Sequence, residues 1–78
     1  MSNYLEELAD DLFTDIIHRE DQLPTDIGDV YRMADLAPEP QDLVDALNIL
    51  INSNKIIGYG KILNRQAYLN VVKIIRDE

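Results

Sequence analysis

Few residues of this chain have the types and the spacing that catalysis requires. The sequence holds one histidine, His18, and no cysteine, so it offers no Cys/His pair for nucleophilic catalysis and no thiolate for a metal. Serine occurs only at Ser2 and Ser53, and no second histidine follows His18 at a metal-binding spacing. We therefore predict that the protein is not an enzyme and has neither a metal site nor a cofactor.

Two further spacings have an ordinary structural use. Asp26 and Asp29 lie three residues apart, but no calcium-loop spacing follows them, and helix capping is the more common role of such residues. Gly58 and Gly60 lack the third glycine and the helix start of a phosphate-binding loop. We expect these glycines to let a strand pack closely against a helix.

The charges are divided unevenly along the chain. The sequence has 7 basic and 15 acidic side chains and a net charge of −8. Residues 1–54 contain two basic side chains against thirteen acidic ones, a balance of −11, whereas residues 55–78 contain five against two, a balance of +3. The sequence thus predicts an acidic body with a weakly basic C-terminal part.

Length and hydropathy predict one domain, residues 1–78, without a membrane partner. The N-terminal residues are acidic and include no apolar run of signal-peptide length, and no run approaches the roughly 20 apolar residues of a membrane span. Together with the absence of cysteine, this pattern predicts a cytoplasmic protein.

Apolar residues recur at helical spacing in three segments, which predict helices over residues 3–19, 26–36 and 40–52. We expect Ser2 and Thr25 to cap the first two helices and Pro40 to lie in the first turn of the third. Polar residues 52–54 should end the third helix. The expected inward-facing side chains are Leu5, Leu8, Ala9, Leu12, Phe13, Ile16 and Ile17 in the first helix, Ile27, Val30, Tyr31, Met33 and Ala34 in the second, and Leu43, Ala46, Leu47, Leu50 and Ile51 in the third.

The last third of the chain predicts a β-hairpin. Its β-branched and aromatic residues favour strands over residues 55–63 and 67–74, joined at residues 64–66. Pairing Leu63 with Gln66 makes one face apolar or side-chain-free, with Ile56, Gly58, Gly60, Ile62, Ala67, Leu69 and Val71, and gives the other face Ile57, Tyr59, Lys61, Tyr68 and Asn70. In the alternative interpretation, residues 66–76 form a fourth helix that Asn64 caps, with Tyr68, Val72 and Ile75 facing inward.

One stretch carries a resemblance to a known superfamily. Residues 45–57, DALNILINSNKII, resemble the end of the third helix of a winged helix-turn-helix domain running into the first strand of its wing. The resemblance implies an α+β fold, a small winged helix-turn-helix with three helices followed by a C-terminal β-hairpin wing. It also implies a third helix that could enter a DNA major groove and a wing that could touch the DNA backbone.

The third helix departs from the DNA-reading pattern of that superfamily. Asp42, Asp45 and Asn48 would face outward, and DNA phosphates would repel the two aspartates. Groove-reading helices usually offer arginine, lysine, asparagine or glutamine to base edges and phosphates. The wing is the better candidate for a nucleic-acid contact, with Lys61 and Arg65 at its tip.

These observations lead to three functional hypotheses. The first is an acidic protein-binding winged-helix module of phage or plasmid origin, an adaptor or inhibitor acting on nucleic-acid machinery. Its expected contact residues are Tyr59, Lys61, Arg65 and Tyr68 on the wing, and Asp42, Asp45 and Asn48 on the third helix. The second is a transcriptional regulator that binds DNA as a dimer, with the wing contacting phosphates. The third is a DNA mimic that acts through Glu6, Glu7, Asp10, Asp11 and Asp15.

The apolar stripe of the first helix is wider than a core requires. Tyr4 and Ile17 extend it beyond a narrow seam, so the exposed remainder could serve a homodimer or another protein interface.

Overall fold

A computed structural model describes residues 3–33 and 39–76, which form three helices and a three-stranded antiparallel sheet. The elements are α1 (Tyr4–His18), a 3₁₀ turn (Glu20–Gln22), β1 (Thr25–Asp26), α2 (Asp29–Met33), α3 (Pro40–Asn52), β2 (Ile56–Leu63) and β3 (Gln66–Ile74). The strands lie in the order β1-β3-β2. The predicted α+β class is confirmed. Within residues 3–33 and 39–76, no helix has the length and apolar character to cross a bilayer.

The predicted first helix is present, but two details of the prediction are wrong. Its N-cap is Asn3, whose side chain accepts the Glu6 N–H at 2.8 Å, whereas Ser2 lies outside the described residues. Leu8, Ala9, Leu12 and Ile16 are buried as predicted. Ile17 was expected to face inward and is 46 % exposed. It lies at the edge of the apolar stripe of α1, and only the residues at the centre of that stripe are buried.

The segment between α1 and α2 corrects the prediction of a helix that starts at Asp26. Thr25 is not an N-cap: it pairs with Val71 in a short strand, and Asp26 pairs with Asn70. The Asp26 carboxylate accepts the Gly28 N–H at 2.8 Å, which holds a turn before α2 begins at Asp29. Val30 was expected to face inward and is 51 % exposed. Residues 34–36 of the predicted helix lie outside the described residues.

α3 begins and ends where the sequence predicts. Pro40 occupies its first turn, where a missing N–H costs nothing. Asn54, with a φ of 59°, takes the left-handed conformation just after the helix. The buried side chains of α3 pack against α1 and against the sheet, so this helix is the centre of the core; they are Leu43, Val44, Ala46, Leu47 and Leu50.

The C-terminal third is a hairpin, so the alternative of a fourth helix is wrong. Leu63 pairs with Gln66, and the two loop residues Asn64 and Arg65 have φ values of 52° and 64°, the geometry that suits tight hairpin loops. Ile56, Ala67, Leu69 and Val71 are buried on the predicted inner face, but Ile62 is 42 % exposed.

Gly58 does not have the packing role against a helix that the sequence predicts, because a Cβ atom there would clash with the Asn70 carbonyl oxygen of β3. Gly60 does have that role. A Cβ atom at this position would lie 3.3 Å from Val44 Cγ1 and 3.4 Å from Leu47 Cδ2. The absence of a side chain at Gly60 therefore lets α3 approach β2 closely. The helix covers this inner face of the sheet, and the opposite face is exposed to solvent.

Candidate functional site

The solvent face of the sheet brings together three of the seven predicted contact residues, Tyr59, Lys61 and Tyr68. Lys61 pairs with Tyr68 and Tyr59 pairs with Asn70 across β2 and β3, and cross-strand partners point to the same face. Lys73, which pairs with Ile57, joins this face and was not predicted. We call this face the outer sheet surface; it comprises Ile57, Tyr59, Lys61, Tyr68, Asn70, Val72 and Lys73.

A bulge explains why strict alternation along β3 does not predict Lys73 on the outer sheet surface. The register shifts between Ile57 and Gly58, so Val72 is an extra residue on β3. Strict alternation breaks at that point, and both Val72 and Lys73 are exposed. The outer sheet surface therefore extends further from the hairpin tip than simple alternation indicates.

The outer sheet surface is apolar as well as basic. Ile57, Tyr59 and Val72 are among the exposed large hydrophobic side chains. A shallow groove of about 210 Å³ crosses all three strands beside them. Its lining residues are Pro24, Thr25, Tyr59, Asn70, Val71 and Val72. A surface of this kind suits contact with another macromolecule better than it suits enclosure of a small ligand.

Two cations lie close to the ring of Tyr68. The Arg32 guanidinium carbon lies 4.3 Å from the centroid of the Tyr68 ring, and the Lys61 ammonium lies 6.0 Å from it. Both distances fall in the range of cation–π attraction. The half-buried Tyr68 therefore has a fixed position, whereas Lys61 remains exposed.

Arg32 reaches this face because Asp26 holds it. Arg32 Nη2 lies 2.8 Å from Asp26 Oδ2, and Arg32 Nη1 donates to the Ala67 carbonyl at 2.8 Å. Asp26 also accepts the Leu69 N–H at 2.9 Å. Partial burial opposes the ionisation of Asp26, but the bonds from Arg32 and the backbone amides outweigh it and lower the pKa of this carboxyl below its usual 3.8.

The sequence analysis did not predict this role of Asp26 and Arg32. The available signal is the spacing of Asp26 and Gly28, since an aspartate often bonds to the amide two residues on. Arg32 comes from α2, and its bond to Ala67 spans 35 residues. No periodicity in the sequence could have indicated that contact.

The hairpin tip carries exposed positive charge. Arg65 lies in the two-residue loop, and Arg65 and Lys61 are both exposed. No acidic residue occurs between positions 46 and 76. The hairpin as a whole is therefore basic, as the charge balance predicts.

The predicted contact residues of α3 do not join the outer sheet surface. The buried side of α3 packs on the inner face of the sheet, so its exposed side points elsewhere. There Asn48 is exposed, Asp42 and Asp45 are half-buried, and Gln41 Nε2 donates to Asp45 at 2.9 Å. The seven predicted contacts thus divide between two separate faces.

The acidic face of α1 is present except at its C-terminal end. Glu6, Glu7, Asp10 and Asp11 are exposed. Asp15 is half-buried and accepts the Tyr31 hydroxyl at 2.5 Å. Burial, and secondarily the bond to Asp15, raise the pKa of Tyr31 well above its usual 10.0. Asp15 therefore belongs to the contacts between α1 and α2 rather than to the exposed acidic face of α1.

Asp29 is the first residue of α2 and binds within its first turn. Its Oδ1 atom accepts the Val30 N–H at 2.8 Å in the first turn of α2. The same atom lies 3.0 Å from Arg19 Nη1. In the described parts of the chain, no three acidic or histidine side chains gather as a metal site would require.

Comparisons of the chain with protein-family models, with curated proteins and with solved structures find no match. The function is accordingly inferred from the surfaces described above.

Proposed function

We propose that this chain is a small acidic protein-binding module of the winged-helix type, an adaptor or inhibitor acting on nucleic-acid machinery. The observation that carries the proposal is the position of the exposed apolar side chains. Of the eight exposed large hydrophobic residues in the described ranges, five lie on the hairpin. They are Ile57, Tyr59, Ile62, Leu63 and Val72. Exposed apolar side chains concentrated on one part of the surface are typical of protein interfaces.

The element order supports the winged-helix part of the proposal. The chain runs helix, short strand, helix, helix and hairpin, and its sheet has the order β1-β3-β2. The packing of α3 against the hairpin is compatible with the third helix of such a domain. The fold alone does not assign a function, so the choice among partners depends on the surfaces.

The charge of α3 argues against ordinary DNA reading. Residues 40–52 contain no lysine or arginine, and Asp45 lies on the exposed side between Gln41 and Asn48. A helix in the major groove would bring this carboxylate towards phosphates with no cation of its own to offset the repulsion. The hairpin is therefore the primary contact surface, and α3 is a secondary one.

The proposal is tested by capture from cells that naturally contain the protein, with two matched charge variants. In the hairpin variant, Lys61→Glu is combined with Lys73→Glu; both lysines are exposed, so the fold should persist. In the control, Asp10→Asn is combined with Asp11→Asn on α1. We expect mass spectrometry to find a component of nucleic-acid machinery that the wild type and the control retain and the hairpin variant loses. Retention by the hairpin variant contradicts the proposal.

A DNA-binding regulator is the second candidate, and the exposed cations of the hairpin favour it. Lys61, Arg65 and Lys73 are exposed with no acidic residue in the hairpin. Fluorescence anisotropy of a random-sequence duplex, measured from low to physiological salt, tests it directly. We expect no binding at physiological salt; binding that Lys61→Glu with Arg65→Glu abolishes would establish the regulator instead.

DNA mimicry is a third candidate, which rests on the row of exposed carboxylates on α1. It predicts the opposite pattern in the capture experiment, since the Asp10→Asn and Asp11→Asn control would lose the partner. Asp15 has to be left unchanged in this test, because its bond to Tyr31 would be broken and the fold would be affected.

A further inference from the structure

The two edges of the sheet differ in how their backbone groups are used. On one edge, β1 is short, and side chains complete the pairing of β3: Arg32 donates to the Ala67 carbonyl, and Asp26 accepts the Leu69 N–H. The other edge is β2, eight residues long. In the part of the chain that the structure describes, β2 pairs with β3 alone. One edge is thus closed, and the other presents a complete strand.

The hairpin register determines which groups of β2 point away from β3. Leu63 and Gln66 flank a two-residue loop, so they form a hydrogen-bonded pair, and such pairs alternate along the ladder. The contacts of Ala67 and Leu69 on the far edge of β3 agree with this alternation. The N–H and C=O groups directed to the free edge are those of Gly58, Gly60 and Ile62.

The free edge has few of the devices that prevent strand pairing. It contains no proline and no acidic residue, and Lys61 is its one charged residue. Natural proteins usually protect exposed edges with such residues or cover them. Half of the eight exposed large hydrophobic side chains in the described residues belong to this single strand. They are Ile57, Tyr59, Ile62 and Leu63.

We propose that the β2 strands of two copies of this chain pair antiparallel about Gly60 and join the two sheets into one of six strands. The occupant of the edge is thus a second copy. The outward groups of Gly58, Gly60 and Ile62 then meet the same groups of the second copy, which makes about six backbone hydrogen bonds.

The side chains of β2 are complementary to themselves in this register. Tyr59 lies opposite Lys61 of the second copy, an aromatic–cation pair. Ile57 lies opposite Leu63 of the second copy, and Ile62 lies beside the side-chain-free Gly58. Ile57, Tyr59 and Leu63 therefore each gain a partner side chain, and Ile62, which is 42 % exposed although it belongs to the inner face, packs over the Gly58 backbone of the second copy.

The two neighbouring registers, centred on Lys61 and on Tyr59, bring less compatible side chains opposite each other. For this reason the proposal specifies Gly60 as the centre. Pairing about Lys61 would oppose the lysines of the two copies. Pairing about Tyr59 would oppose Leu63 to Lys55 of the second copy and leave an apolar side chain without an apolar partner. The hairpin itself brings no acidic residue to the paired strands, since none occurs between positions 46 and 76.

Sedimentation equilibrium of the pure protein tests the dimer with matched variants. Leu63→Lys places a charge at an edge position that is already 53 % exposed. Its control is Val72→Lys, a residue 45 % exposed on β3 away from the free edge. We expect the wild type to dimerise and Leu63→Lys to raise the dimer Kd at least about tenfold, with Val72→Lys unchanged. A wild type that stays monomeric across the concentration range, or an equal loss in both variants, overturns the proposal.

Disulfide cross-linking tests the register, since the chain has no cysteine of its own. Ile57 and Leu63 of the second copy form a non-hydrogen-bonded pair with a Cα separation of about 4.5 Å, within disulfide reach. A mixture of Ile57→Cys and Leu63→Cys chains should form a cross-linked heterodimer. Either variant alone should not cross-link, because two residues at the same position lie roughly 20 Å apart. Cross-links in the single variants, or none in the mixture, contradict the register.

Both measurements use the pure protein and need no other partner. Their outcome is therefore independent of the capture experiment, and either proposal can fail without the other.

Discussion

At the scale of single residues, Asp26 is the side chain that joins three separate parts of the chain: β3, the turn before α2, and α2 itself. Its carboxylate bonds to the Leu69 amide, 43 residues away, to the Gly28 amide and to Arg32. Arg32 in turn contacts the Ala67 carbonyl and the Tyr68 ring. The ordered part of the outer sheet surface thus depends on one partly buried carboxylate.

Asp26→Asn should therefore destabilise the fold more than a similar change at an exposed ion pair. The amide keeps the shape but loses the charge that holds Arg32, and it leaves one backbone donor poorly matched. We expect the free energy of unfolding to fall by about 1–3 kcal/mol. Asp29→Asn is the control, because Asp29 is 53 % exposed beside Arg19 and should cost less than about 1 kcal/mol. Urea unfolding of both variants measures the difference, and equal losses would show that Asp26 has no special role.

The stabilisation by the ionised Asp26 carboxylate should also depend on pH. The folded pKa of Asp26 lies below its usual 3.8, so the unfolded chain takes up a proton at higher pH than the folded chain does. The stabilisation is present above pH 3.8, shrinks as the pH falls below it, and is lost through the folded pKa. We expect the difference in the free energy of unfolding between wild type and Asp26→Asn, measured by urea titration, to become smaller as the pH falls over this range. A difference that stays constant down to the lowest pH would contradict the assigned cause.

At the scale of elements, the sequence predicts long periodic segments well and short ones poorly. Apolar periodicity predicts α1 and α3, and Pro40 predicts where α3 begins. The alternation of the two strands predicts the hairpin register, in which Leu63 pairs with Gln66. β1 and the start of α2 are not predicted, because two strand residues have no period of their own. Thr25 and Asp26 are held by β3, and that contact is absent from the local sequence.

The hairpin loop offers a test that separates stability from surface charge. Arg65 has a φ of 64°, a conformation that costs an L-residue about 1 kcal/mol and glycine almost nothing. Arg65→Gly should therefore raise the free energy of unfolding by about 0.5–1 kcal/mol while it removes an exposed cation. Gln66→Gly, in the adjacent strand, is the control and should destabilise. Thermal unfolding of the two variants checks this, and a loss of stability in Arg65→Gly would mean that its side chain makes a contact that stabilises the loop.

At the scale of the whole molecule, charge is separated between two sides of the core. The exposed carboxylates of α1 lie on one side of α3, and the outer sheet surface lies on the other side of the sheet. The sequence predicts this separation from its charge balance, and strand alternation predicts Tyr59, Lys61 and Tyr68. It does not predict Lys73, which the bulge at Val72 turns outward, or Arg32, which arrives from α2.

The net charge should make the fold more stable as salt is added. A charge of −8 on 78 residues gives self-repulsion that destabilises the compact state. The ion pair between Arg76 and Glu20, with side chains 61 % and 47 % exposed, offsets little of it. The Debye length falls from about 30 Å at 0.01 M salt to about 8 Å at 0.15 M. The smaller length is well below the 39 Å longest dimension of the chain, so repulsion between distant carboxylates is screened.

We therefore expect the melting temperature to rise by a few degrees over this range, roughly 4 °C for about 1 kcal/mol. The double variant Asp10→Asn with Asp11→Asn should have a higher melting temperature than the wild type at low salt, because two of the repelling charges are gone. For the same reason its melting temperature should rise less as salt is added. Thermal melts in two different salts at equal ionic strength separate screening from specific ion binding. A melting temperature that falls with salt would show that the ion pairs outweigh the repulsion. The acidic face of α1 would then be a source of stability, and its neutralisation could no longer serve as a neutral control for partner capture.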